Sequence, residues 1–127
     1  MPAQPAFTVS CRPAPPGTVV IALRGSADMD TAPVLARALQ ESLGASYVPE
    51  VLVVDCAGLE FCDSTGLNEL LTGRMAAIEG GSAFRLAAPS RQAVRLLEIT
   101  GTDTLFDVLP AAPILRGARL GGHPPLS

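Results

Sequence analysis

The chain has no lysine, and its nine basic residues are all arginine. Tryptophan is also missing, tyrosine occurs once, and the single histidine, His123, sits in Gly121-Gly122-His123-Pro124-Pro125. Each absence removes some chemistry. Without lysine there is no Walker-type phosphate loop, no Schiff base and no lysine of the phospho-aspartate receiver kind. Without a histidine set into a folded segment there is no ordinary Ser-His-Asp triad. A basic excess is lacking too. The net charge of −3 and a pI near 5.0 argue against a nucleic-acid partner, which needs a cationic surface. No apolar run approaches the roughly 18 residues that span a bilayer, and Met1-Pro2-Ala3-Gln4-Pro5 lacks the basic and apolar regions of a signal peptide. The expected setting is cytoplasmic, with no membrane partner.

Cysteine is sparse. Cys11, Cys56 and Cys62 are odd in number, at spacings that fit neither a disulfide framework nor a zinc motif. They read as reduced thiols acting as small apolar side chains. Only Cys62, two residues before Ser64, invites a redox reading as well. No metal or cofactor is expected.

What is present is one domain's worth of chain, 127 residues of which 48% are hydrophobic, with Val, Leu, Ile and Ala left to fill the core. Residues 7–11 read as a short extended segment. Thr18 to Arg24 is β-branched and apolar, a strand that pairs with it as an antiparallel hairpin across Pro13-Ala14-Pro15-Pro16-Gly17. Residues 25–31 form a loop ending at a cap, Asp30 or Thr31, and Pro33 suits a first helical turn. Val34, Leu35, Ala38, Leu39 and Leu43 then share a helical face up to Gly44. Val51 to Asp55 does not alternate and predicts a strand buried on both faces.

A second helix is predicted from about Ser64 to Glu79, with Leu67, Leu70, Leu71, Met75 and Ile78 at helical spacing, stopped by Gly80-Gly81. Residues 84–87 read as a strand, Pro89-Ser90 opens a third helix that runs to Gly101, and Leu105 to Leu109 reads as the last strand. The order β-β-α-β-α-β-α-β predicts an α/β fold: a mixed, mostly parallel sheet of about five strands with helices packed on it. From 111 to 127 the sequence turns to Pro, Gly and Arg without periodicity and is expected to be a flexible tail, like residues 1–5 at the other end.

Sites in such folds gather at the carboxyl ends of strands. Loops 25–31 and 56–64 both leave such ends, so Asp28 and Ser64 are candidates to be neighbours. Asp63-Ser64-Thr65-Gly66-Leu67 starts a helix, and three readings of Ser64 follow. It belongs to a helix N-cap and nothing more, with Asp63 or Ser64 satisfying the free N–H groups. It is a nucleophile, a reading weakened because Asp-Ser-Thr-Gly is not a Gly-x-Ser-x-Gly elbow and no histidine is placed to serve it. Or it is a phosphorylation switch, since a phosphoserine adds about −1.5 to −2 charges that a helix start tolerates. Gly66 leaves the backbone beside Ser64 uncovered, open to close approach by another protein. Leu67 and Phe61 flank the serine and read first as core residues. Asp28 reads as a turn residue; an Asp28/Asp55 pair for Mg²⁺ is disfavoured without lysine.

Asp63-Ser64-Thr65-Gly66-Leu67 behind Val-Val-Asp-Cys-Ala-Gly-Leu-Glu-Phe-Cys resembles the signature of STAS domains, in particular bacterial anti-sigma factor antagonists. Gly25-Ser26-Ala27-Asp28, with Thr31-Ala32-Pro33 after it, is similar to their second motif, usually Gly-Glu-Leu-Asp. Ser26 and Ala27 depart from that pattern. The resemblance covers residues 6–110, the expected STAS domain.

It implies a non-enzymatic partner switch. The unphosphorylated antagonist binds an anti-sigma factor that is also a serine kinase, releasing a sigma factor. The kinase phosphorylates the antagonist, and a phosphoserine phosphatase resets it. By position, Ser64 is then the phosphoacceptor, and Asp28, Asp63, Thr65, Gly66 and Leu67 belong to the partner surface. The other STAS role that the resemblance allows is a module of a lipid-transport ATPase or a stress-sensing scaffold, with no phosphoswitch.

Overall fold

The computed structural model describes residues 7–44 and 47–115. Its elements are β1 (Phe7–Arg12), β2 (Thr18–Ala27), α1 (Ala32–Ser42), β3 (Val51–Cys62), α2 (Ser64–Glu79), β4 (Ala83–Ala87), α3 (Arg91–Thr100) and β5 (Asp107–Leu109). The order is the one predicted. The strands lie side by side in chain order in a single sheet. β1 runs antiparallel to β2, with Phe7 opposite Gly25 and Arg12 opposite Val20, and every later pair is parallel. Each parallel crossover advances one strand in the same direction, so right-handed connections put α1, α2 and α3 on one face.

Strand alternation divides the apolar residues between two layers. On the helical face, Ile21, Leu23, Leu52, Val54, Phe84 and Leu86 meet Leu35, Leu39, Leu67, Leu70 and Leu97 from the helices. On the other face Val20, Val53 and Ala87 form a smaller cluster. No helix covers them, yet they are at most 1% exposed. Ala14, from the turn between β1 and β2, and Ala112, beyond β5, supply the cover. β3 is therefore buried on both faces across residues 52–54, within the stretch its sequence predicts, with short irregular segments making the second layer. Residues 1–5 and the part of the expected tail from 116 onward lie outside the described residues.

The helix faces depart from the predicted ones. In α1, Leu35 and Leu39 are buried, but Val34 is 48% exposed. In α2 the buried positions are Gly66, Leu67, Leu70, Gly73 and Ala77, while Met75 and Ile78 point outward. Close packing explains the shift. A Cβ at Gly73 would lie 2.9 Å from a Leu39 methyl, so α1 and α2 approach too closely for a large side chain there. The contact face is lined by small residues, which a hydrophobicity pattern undervalues. The last strand also starts later than predicted, because Phe106 turns into the core beside Phe84, their ring centroids 6.1 Å apart.

Candidate functional site

The site is built from two strands longer than predicted. The segments read as loops 25–31 and 56–64 begin as paired β-structure: Gly25 lies opposite Leu59, Ser26 opposite Phe61 and Ala27 opposite Cys62, with register shifts on the way. Leu59 and Cys62 drop into the core, and that burial carries the strand on past the apolar run ending at Asp55. β4 stops opposite Asp55, at Ala87. The ends of β2 and β3 therefore project together beyond the rest of the sheet, with Asp28 following the paired Ala27 and Asp63 following the paired Cys62. The Asp63 amide donates to the Ala27 carbonyl at 3.0 Å, which closes the pair.

α2 begins there. Asp63 is its cap: one carboxylate oxygen accepts the amides of Thr65 at 2.9 Å and Gly66 at 3.0 Å, two of the donors a helix start leaves free. Ser64 is the first helical residue and exposed. Of the two residues the sequence offers as cap, Asp63 takes the role, and the serine hydroxyl stands outside it at the positive end of the helix. Thr65 is half-buried.

Gly66 and Leu67 face inward. Leu67 is 4% exposed and lies in the main core. A Cβ on Gly66 would sit 2.6 Å from the Ala27 carbonyl oxygen and 2.8 Å from the Ala27 Cβ. The glycine is expected from sequence to leave the backbone open to another protein; instead the close approach it permits is that of the protein's own β2, which covers it. These two residues shape the site from beneath and offer a partner no surface in this conformation. Phe61, read first as a core residue, is 45% exposed instead.

Asp28 acts as a turn residue. Its carboxylate accepts the amides of Asp30 at 3.0 Å and Thr31 at 3.1 Å. Thr31 is the N-cap position of α1 but makes no side-chain cap. Its buried hydroxyl donates to the Ser26 carbonyl at 2.7 Å and accepts the Asp28 amide at 2.9 Å. Asp55 accepts the Ala57 amide at 3.0 Å. Asp28 and Asp55 thus each serve a local turn, and no cluster of three metal-ligating side chains occurs among the described residues.

The thiols are subdued. Burial, then the neighbouring Asp63 carboxylate, pushes the Cys62 thiol from 9.0 up to about 11. Burial, then Cys62 and Asp55, pushes Cys56 up to about 12. Both stay protonated near neutral pH, the less reactive form, and both are buried.

Sequence reasoning missed two features. Met29, in the loop after Ala27, is 73% exposed and joins Phe61 at this end of the sheet. Gln92 on α3 reaches Cys62: its carboxamide donates to the Cys62 carbonyl at 2.7 Å and accepts the Cys62 amide at 3.0 Å. A lone glutamine at the start of a helix carries no sequence signal for such a contact.

No curated protein sequence matches this chain. Among solved structures, it is similar to an anti-sigma factor antagonist from Mycobacterium paratuberculosis, with 28% identity, a TM-score of 0.74, and 87% of this chain and 92% of that one covered. The phosphorylated form of SpoIIAA, a Bacillus cell fate determinant, shares the fold at 18% identity and a TM-score of 0.62, covering 80% of this chain and 90% of that one. A sulfate transporter family protein from Wolinella succinogenes shares it too, at 18% identity and a TM-score of 0.68, over 77% of this chain and 80% of that one. The family profile described as "Mlab, STAS domain" matches residues 12–110, and the chain belongs to the STAS domain family.

Proposed function

We propose that this protein is an anti-sigma factor antagonist switched by phosphorylation of Ser64, a binding module and kinase substrate that catalyses nothing itself. The observation that carries the reading is the exposed Ser64 hydroxyl, left out of the cap by Asp63 at the first turn of α2. Exposed Phe61 and Met29 at the same end of the sheet supply apolar anchors of the kind found at protein interfaces. The likeness to the anti-sigma factor antagonist from Mycobacterium paratuberculosis, at 28% identity, supports the same role.

In its unmodified form the surface offers a small neutral hydroxyl between Asp63 and Thr65, at the end of the sheet that also carries Phe61 and Asp28. An anti-sigma factor that is also a serine kinase docks here, which frees its sigma factor. Transfer of phosphate to Ser64 adds about −1.5 to −2 charges next to the Asp63 carboxylate. The fold accepts this, because the helix start favours anions by about 0.3–1 kcal/mol and the hydroxyl already faces solvent. A partner packed on the hydroxyl does not. A loss of roughly 3–4 kcal/mol lowers affinity by two to three orders of magnitude. A phosphoserine phosphatase restores the binding form. No nucleic acid or membrane takes part, and the setting is the cytoplasm; no helix among the described residues is long and apolar enough to cross a membrane.

The test is phosphopeptide mass spectrometry of the protein isolated from its native cell. The expected result is phosphate on Ser64 in part of the population; its absence under every growth condition, including stationary phase and stress, contradicts the switch.

A second reading rests on the family description "Mlab" and on the likeness to a sulfate transporter family protein. The same domain then serves as a STAS module of a lipid-transport ATPase or stress-sensing scaffold, where Ser64 is never modified.

A further inference from the structure

β3 outlasts its neighbour on one side. β4 ends at Ala87, opposite Asp55, so β3 beyond Asp55 has no strand on that flank. On the other flank β2 continues to Ala27. In an extended strand one residue's N–H and C=O point to the same side, and the next residue's to the opposite side. Asp63 donates toward β2, to Ala27, so Cys62 must present both its backbone groups to the vacant flank. The side chain of Gln92 meets both, at 3.0 Å and 2.7 Å.

A primary carboxamide suits this place on chemical grounds. It donates through nitrogen and accepts through oxygen at once, reproducing the donor and acceptor of a neighbouring peptide unit. Arginine or lysine cannot accept and an ionised glutamate cannot donate. Gln92 is half-buried at the start of α3, where Ser90 caps the helix by accepting the Ala93 amide at 3.1 Å. The glutamine is therefore held by a rigid element rather than a loop.

We propose that Gln92 is the positioning residue of the Ser64 hydroxyl. Its carboxamide stands in for the missing strand at Cys62, while Ala27 fixes Asp63 from the other side. The chain is thus pinned on both flanks at the point where β3 gives way to α2, and the next residue is Ser64. A phosphoacceptor must be presented to within a fraction of an ångström for in-line transfer, and the clamp supplies that precision without covering the hydroxyl. Its meaning for phosphorylation rests on the switch proposed above; the positioning itself does not.

Gln92→Met keeps the length and apolar contacts of the side chain and removes both hydrogen bonds. Gln92→Glu keeps an acceptor for the Cys62 amide and removes the donor to its carbonyl. Each is compared with the unaltered protein by amide hydrogen exchange and by NMR couplings that report the Ser64 side-chain rotamer. In Gln92→Met the Cys62 amide exchanges about tenfold faster, the Ser64 rotamers spread, and central β3 amides such as Val53 keep their rates. Gln92→Glu falls between the two. Wild-type Cys62 exchange and Ser64 couplings in both variants, with only a lower melting temperature, overturn the proposal.

With the kinase in hand, Gln92→Met should lower kcat about tenfold and leave KM within about twofold, because the docking surface is intact. A raised KM at unchanged kcat contradicts positioning. If no kinase modifies even the unaltered protein, the switch reading fails, and the exchange and coupling data still decide the role of Gln92.

Discussion

Gly66 of α2 lies so close to Ala27 of β2 that a Cβ at position 66 would stand 2.6 Å from the Ala27 carbonyl oxygen. That carbonyl already accepts the Asp63 amide, so neither partner is free to move away. Gly66→Ala should gain the usual helix preference for alanine, about 1 kcal/mol, and lose more to overpacking, which typically costs about 1–3 kcal/mol. The expected net result in urea denaturation is a lower midpoint with an unchanged slope. A stabilised variant contradicts the close packing.

Asp63→Ala removes the acceptor for the Thr65 and Gly66 amides. Loss of such a cap costs about 1 kcal/mol, within a range of roughly 0.5–2. The fraying should be local. Amide exchange should rise at Thr65 and Gly66 and remain slow in the middle of α2, and Asp63→Asn should recover most of the protection.

Much of this architecture was legible in the sequence, for identifiable reasons. The β-branched run 18–24 and the unbroken apolar run 51–54 could satisfy their burial only as strands, and Ser90 and Gly101 mark the ends of α3 with a cap and a left-handed stop at φ 76°. Ser64 stood out because a hydroxyl next to Asp63 at a helix start has few roles. What was not legible depends on distance. The glycines at 66 and 73 are explained by Ala27 and Leu39, which are remote in the chain. The continuation of β3 to Cys62 needs β2 alongside it, and Gln92 acquires its role only from a residue thirty positions earlier. Phe61 and Leu67 look alike in the sequence, and the fold turns one outward and the other inward.

Thr31 carries a buried hydroxyl that joins the Ser26 carbonyl to the Asp28 amide. Thr31→Val keeps the shape and strands both groups, at a cost of about 1–3 kcal/mol. Thr31→Ser should retain most of the stability. Equal melting temperatures for the valine and parent proteins contradict the bonding described for this loop.

The raised thiols set an alkaline limit. Cys56 and Cys62 hold their protons in the folded state to about 12 and about 11, against 9.0 for a free thiol. Above pH 9 the unfolded thiols bind fewer protons than the folded ones, so the thiols' contribution to stability is lost as pH rises toward those values and is constant below pH 9. In iodoacetamide labelling at pH 8, Cys11, which is exposed, should react first, and Cys56 and Cys62 only at the rate of unfolding. Rapid labelling of Cys62 in the folded protein contradicts its burial.

The switch at Ser64 is tested most directly by presenting Ser64→Ala and Ser64→Glu proteins side by side to a lysate of the native cell and identifying the captured proteins by mass spectrometry. The account predicts that the alanine form recovers an ATP-dependent serine kinase and the glutamate form does not, a difference of about two orders of magnitude in affinity. Recovery of the same partners by both forms, transporter subunits for example, contradicts it.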